Sequence, residues 1–234
     1  ACERMGVDVF EVRELINARP DRHMHRPGAG VGGHCLPKDS WLLKYGVETY
    51  GERAEDPGEL RLIPLAREIN DGMPGHMVAL IEETLRETGR ELGGSKVVLL
   101  GVAYLENADD TRNTPAAALA KLLLARGAEV VVHDPYVRKA DWHRELGDGV
   151  EVPLTGDVWS ALDGADCAAL VTRHRGYQVL DLRRMRDVMR TPVLVDGRNV
   201  WNTAACQKVG FTYCGVGNLE PFTSSELRLG FVHK

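Results

Sequence analysis

The chain has no apolar run long enough to span a bilayer, and its first residues, A-C-E-R-M-G-V-D-V-F, carry no signal-peptide pattern. Cysteine is scarce: five in 234 residues, Cys2, Cys35, Cys167, Cys206 and Cys214, widely scattered and without a C-x-x-C pair. An odd, dispersed set argues against a disulfide scaffold and suits a reducing, cytoplasmic setting. His23, His25, His34 and Cys35 match none of the common zinc spacings, so solvated loop histidines are expected and no metal. The formal net charge is −5 and the basic residues do not gather into a patch, which removes the electrostatic case for nucleic acid or a membrane surface as partner. Internal repeats and low-complexity segments are also lacking. The remaining composition, 44% hydrophobic and 27% charged, is that of an ordinary globular protein, long enough for one or two domains.

Glycine, by contrast, is dense in one place. The stretch R-P-G-A-G-V-G-G-H-C-L-P-K-D-S-W, residues 26–41, sets Gly28, Gly30, Gly32 and Gly33 just before Cys35. Backbone without Cβ atoms can come close to a ligand. Lys38 and nearby N–H groups favour the thiolate of Cys35, the form that attacks carbonyl carbon, and Asp39 could orient water or accept a proton. The alternative is a tight connection holding a small buried thiol. Gly28, Gly30 and Gly33 also satisfy G-x-G-x-x-G, but no apolar strand precedes them, so a phosphate fingerprint is rejected. Arg19, Arg22 and Arg26, upstream, could meet a substrate phosphate or form a solvated basic loop.

Elsewhere the pattern is helical at first. Val9, Val12, Leu15 and Ile16 form a stripe, with Asp8 and Glu11 in capping-box positions. A short helix is expected over 40–53 and a long one over 58–91, kinked or split at Pro74. L-G-G-S at 92–95 reads as a linker. From Lys96 the rhythm changes to apolar runs at 96–102, 128–135, 167–172, 192–196 and 211–215. Helices fit at 115–126 (Thr114 as N-cap, Pro115 at the first position, Gly127 as terminator), 157–162, 181–189 and 202–209. Such alternation predicts an α/β doubly wound parallel sheet whose ligands bind at the carboxyl ends of strands. D-P-Y at 134–136 reads as a strand-end turn.

G-x-G-V-G-G-H-C-x-P-K-D resembles the cysteine loop of the UDP-glucose/GDP-mannose dehydrogenase family of nucleotide-sugar 6-dehydrogenases. R-E-I-N-D-G-M-P at 67–74, the loop G-V-A-Y-L-E-N-A-D-D-T-R at 101–112 and D-G-R-N-V-W at 196–201 are similar to further motifs of that family. The resemblance implies a central helical domain over 1–92 whose long helix, 58–91, lies at a homodimer interface, a Rossmann-like UDP-sugar-binding domain over 93–217 and a tail over 218–234. It implies NAD-dependent oxidation of a sugar C6 alcohol to the uronate, with Cys35 as nucleophile and Asp39 assisting hydrolysis. Arg22, Gly28, Gly30, Gly32, Tyr104 and Arg198 would then bind a UDP-sugar, and Lys38 and Arg112 would reach NAD. His34 is similar to the branch acting on UDP-N-acetylhexosamines such as UDP-N-acetyl-D-mannosamine; the UDP-glucose branch usually has serine there. Leu105 stands where that branch usually has a substrate-contacting lysine. An amino-terminal NAD domain, with a catalytic lysine, asparagine and acidic residue, is expected upstream, so the sequence reads as a fragment of a homodimeric enzyme, inactive alone. Rival readings are a UDP-sugar-binding module or another cysteine enzyme, such as an aldehyde dehydrogenase or thiol hydrolase.

Overall fold

Continuous apolar strands need cover on both faces, and the chain supplies it. The computed structural model describes residues 1–51 and 60–218. Helices α1 (Cys2–Met5), α2 (Val9–Asn17), α3 (Leu36–Tyr50), α4 (Leu62–Asp71) and α5 (Met73–Glu87) come first. There follow β1 (Lys96–Leu100), α6 (Pro115–Ala125), β2 (Glu129–His133), α7 (Lys139–Leu146), β3 (Leu154–Thr155) and α8 (Val158–Leu162). The chain then continues through β4 (Cys167–Leu170), α9 (Arg175–Gln178), α10 (Leu182–Val188), β5 (Val193–Asp196), α11 (Thr203–Lys208) and β6 (Thr212–Gly215).

The six strands are parallel, in the order β3-β2-β1-β4-β5-β6. This is the α/β doubly wound, Rossmann-like arrangement, with its topological switch between β1 and β4. Side chains alternate across the sheet. Val97 and Leu99 join Met77, Ile81, Leu85, Leu119, Leu123, Trp142, Val193 and Val195 on one face. Val98 and Leu100 join Leu162, Leu170, Tyr177, Met185, Leu194, Trp201 and Phe211 on the other. Local chemistry fixes the helix starts: Thr114 accepts from Ala116 N–H ahead of Pro115, and Asp157, Asp181 and Asn202 cap α8, α10 and α11 in the same way.

Several expectations change. The helix foreseen over 40–53 begins at Leu36, so Pro37, Lys38 and Asp39 form its first turn. Proline at the first positions of a helix is favourable because its missing N–H would have no partner there. The long helix divides at Gly72, leaving α5 with Pro74 in its own first turn. Its foreseen start at 58, the residues 52–53 and the tail beyond 218 lie outside the described residues. In α2 the buried member is Phe10, while Leu15 of the expected stripe is 77% exposed. The stretch 92–95 is a pinned turn rather than a linker: Leu92 and Ser95 are buried, and Gly94, at φ 78°, donates its N–H to Gly127 O at 2.8 Å. The boundary expected at 92–93 falls beyond α5, whose Met77, Val78, Leu80, Ile81 and Leu85 already belong to the core under the sheet.

Candidate functional site

Cys35 occupies the N-cap position of α3, is exposed, and its carbonyl oxygen accepts N–H groups of Lys38 (3.0 Å) and Asp39 (2.8 Å). The thiol thus stands at the positive end of the α3 backbone dipole. The glycines before it lie against the carboxyl ends of the strands. Ala29 N–H donates to Gly197 O at 2.9 Å, and Gly33 N–H to Arg112 O at 2.8 Å. A Cβ on Gly28 would fall 2.6 Å from Gly197 O, and one on Gly33, at φ 91°, would fall 2.8 Å from the Tyr104 ring. These two positions therefore require glycine for close approach.

Side chains complete the attachment. Arg198, at the end of β5, donates from Nε to Val171 O (2.6 Å) and from Nη2 to Gly30 O (2.8 Å). Burial pulls its guanidinium pKa down, against the opposing pull of Asp196 and Glu106. Asn70 of α4 accepts from Val31 N–H at 2.8 Å and donates to Val31 O at 3.2 Å. Asn113 Nδ2 donates to Gly33 O at 2.9 Å. Loop, α4 and strand ends are thus stitched together by polar bonds.

Between them lies an open cavity of about 520 Å³ whose walls include Gly30, Gly32, His34, Cys35, Tyr104, Leu105, Arg112 and Arg198. It sits where the strand order reverses, the place at which open α/β sheets receive ligands. A neighbouring cavity of about 560 Å³ shares Gly30, Val31 and Arg198 and adds Met24, Arg26, Gly28 and Asn70. Among the expected site residues, Cys35, Gly30, Gly32, Tyr104, Arg112 and Arg198 share one space and Gly28 lines the next. Lys38 and Asp39 pair at 3.5 Å on the first turn of α3, exposed and outside that wall. Arg22 is exposed and lines neither cavity; Arg19 is occupied by Asp21 at 2.9 and 3.0 Å.

The loop carrying Tyr104 has a buried anchor. Asp134, at the end of β2, accepts through Oδ2 from Val102 N–H (2.8 Å), Ala103 N–H (3.1 Å) and His174 Nε2 (3.0 Å), and through Oδ1 from Tyr136 and Val137 N–H. Burial alone would push this carboxyl up, yet His174 and the backbone N–H groups hold it below the usual range. His174 Nδ1 accepts Asn107 N–H at 2.8 Å, which leaves Nε2 as the donor to Asp134. On the exposed side, Arg112 grips Asp110 through Nε at 2.9 and 3.0 Å and thereby lowers the Asp110 pKa. D-P-Y is accordingly a strand-end turn that also secures the loop. Sequence reading missed Asn70, Asn113 and His174, because their partners are distant in the chain; the signal available for Asn113 was the tolerance of asparagine for the left-handed region it adopts (φ 52°).

A dinucleotide needs more than this. Lys38 lies outside the cavity that Arg112 lines, and among the described residues the connection from β1 to α6 is a long loop and not a tight glycine turn.

Residues 1–72 match the central domain, and residues 98–203 the UDP-binding domain, of the UDP-glucose/GDP-mannose dehydrogenase family. A UDP-N-acetyl-D-mannosamine dehydrogenase of Pyrococcus horikoshii is 35% identical over 216 residues, 92% of this chain and 46% of that protein. A UDP-glucose 6-dehydrogenase of Pseudomonas aeruginosa is 33% identical over 92% of this chain and 47% of its own length. The crystal structure of an NDP-N-acetyl-D-galactosaminuronic acid dehydrogenase from Methanosarcina mazei superposes with a TM-score of 0.78 at 35% identity, covering 92% of this chain and 45% of the other. The chain therefore spans about half the length of the relatives it matches. With both halves aligned, this chain belongs to the UDP-glucose/GDP-mannose dehydrogenase family.

Proposed function

We propose that this chain supplies the cysteine loop and the nucleotide-sugar site of an NAD-dependent nucleotide-sugar 6-dehydrogenase. The observation that carries the reading is the exposed Cys35, on a helix N-terminus, opening into the cavity lined by Tyr104, Arg112 and Arg198 at the switch of the sheet. Nucleotide phosphates suit this wall of guanidinium groups and glycine N–H groups. NAD, when bound, accepts the electrons of both oxidations.

The work of the chain's own residues follows. The sugar is oriented with C6 toward Cys35. Once C6 is an aldehyde, the thiolate adds to its carbon, and the tetrahedral adduct stays on the enzyme instead of escaping as free aldehyde. Oxidised to a thioester, that carbon is attacked by water, the C–S bond breaks, and the carboxylate leaves as the thiolate returns. Asp39, one helical turn on from Cys35, is the carboxylate to which we assign the orienting of that water.

The preferred sugar is a UDP-N-acetylhexosamine, such as UDP-N-acetyl-D-mannosamine, as in the Pyrococcus horikoshii relative. His34 precedes Cys35, and Leu105 offers hydrocarbon to the cavity, where an acetamido methyl fits better than a hydroxyl. UDP-glucose, as in the Pseudomonas aeruginosa relative, is the competing substrate. Taken alone, the chain acts as a UDP-sugar-binding module. The exposed apolar faces of α3 and α4 are the surface through which the enzyme forms a homodimer. In a full-length protein carrying these residues, Cys35→Ser should abolish uronate formation from a panel of UDP-sugars followed by NADH absorbance; unchanged acid output would refute the assignment.

A further inference from the structure

The cysteine loop is not held by its glycines alone. Asn113 stands between the loop of Tyr104 and α6, with its backbone in the left-handed region (φ 52°). That turn aims three groups at the same two residues upstream of Cys35. The Asn113 side-chain amide donates to Gly33 O at 2.9 Å, and the carbonyl of Arg112 accepts Gly33 N–H at 2.8 Å. The Asn113 carbonyl packs where a Cβ on Gly32 would lie. Behind Asn113 the turn closes on itself, Thr114 N–H donating to Thr111 O at 3.0 Å.

We infer that Asn113 is a positioning residue: it clamps Gly33, and so sets Cys35 against the nucleotide-sugar cavity. This rests on the reading of Cys35 as nucleophile, and it deepens that reading by assigning the register of the thiol to a side chain from the sheet half. Only a residue that accepts positive φ and carries a short donor satisfies the geometry. Glycine keeps the backbone and loses the donor. Aspartate tolerates the same backbone but presents an acceptor to the Gly33 carbonyl.

The test uses this chain, UDP-N-acetylglucosamine as probe, and carbamidomethylation of Cys35 by iodoacetamide, followed by the mass of the Cys35 peptide. In the unaltered chain the bound probe should slow alkylation of Cys35. In Asn113→Gly and Asn113→Asp the probe should bind within about twofold of the original affinity, while its protection of Cys35 falls about fivefold, the loss of one hydrogen bond. Loss of protection with binding and thermal midpoint retained separates positioning from mere stability. Protection preserved in both variants overturns the inference. If the probe fails to bind the unaltered chain, or binds without protecting Cys35, the proposed function itself falls and the inference with it, and that result is visible before any substitution is made.

Discussion

The two halves of the molecule are built on different terms. The sheet half surrounds each central strand with apolar cover, and Val97, Val98, Leu99 and Leu100 of β1 are all fully buried. The half before α5 buries Phe10, Ala29 and three loop glycines, while Leu62, Leu65 and Ile69 of α4 stand 81%, 50% and 62% exposed. One half owns a core; the other is attached to it by backbone bonds and by Arg198 and Asn113. Stability should therefore reside in the sheet, and the placement of Cys35 in the stitches. That division suits a cysteine that must meet a ligand held by strand ends.

The largest effect should come from the core. Leu99→Ala removes a fully buried side chain from β1 and should lower the unfolding free energy by about 3 kcal/mol in chemical denaturation. A loss below about 1 kcal/mol would mean that the sheet is not the stabilising half. Next stands Asp166, completely buried ahead of β4. Burial alone would push its carboxyl up, but Arg190, the Lys96 N–H and the Thr191 hydroxyl bring it to about 2. A folded-state pKa below the ordinary value contributes stability that is present above about pH 4 and lost as pH falls toward 2. Asp166→Asn should flatten that acid limb and cost on the order of 2 kcal/mol at neutral pH. An unchanged acid limb would remove Asp166 from the account.

A third change probes the seam itself. Arg198→Met keeps the hydrocarbon stem but removes the donors to Val171 O and Gly30 O, and should cost about 1–2 kcal/mol. It should also weaken binding of a UDP-sugar measured by calorimetry, because the loop it tethers forms the cavity wall. A stability loss without a change in affinity would confine Arg198 to the scaffold.

Legibility in the sequence follows the same division. Buried parallel strands are unbroken apolar runs, so Lys96–Leu100, Glu129–His133, Cys167–Leu170, Val193–Asp196 and Thr212–Gly215 could be read directly. The strand Leu154–Thr155 could not, being two residues with no pattern of its own, and the helix Lys139–Leu146 hides behind a polar composition with Trp142 as its anchor. The glycines and Cys35 were legible because their chemistry is local. Their attachment was not: the bond from Arg198 to Gly30 spans 168 residues, and that from Asn113 to Gly33 spans 80. Arg198 was legible as a strand-end arginine, but what it spends its donors on depends on a fold that brings Gly30 beside it.

The smallest expected effect sharpens the contrast most. Ile69 lies on α4 in a row with Leu62 and Leu65, all facing away from the sheet's core. Ile69→Ser removes hydrocarbon that a single copy leaves in water, so the unfolding free energy of the isolated chain should move by no more than about 0.5 kcal/mol. If this face closes the proposed homodimer, the same change should lower the self-association seen in sedimentation, because a polar atom then replaces apolar contact across the interface. A cost as large as that of Leu99→Ala, in a chain that sediments as a monomer, would show that α4 packs into a core of its own. The division between a self-sufficient sheet and a tethered cysteine half would then fail.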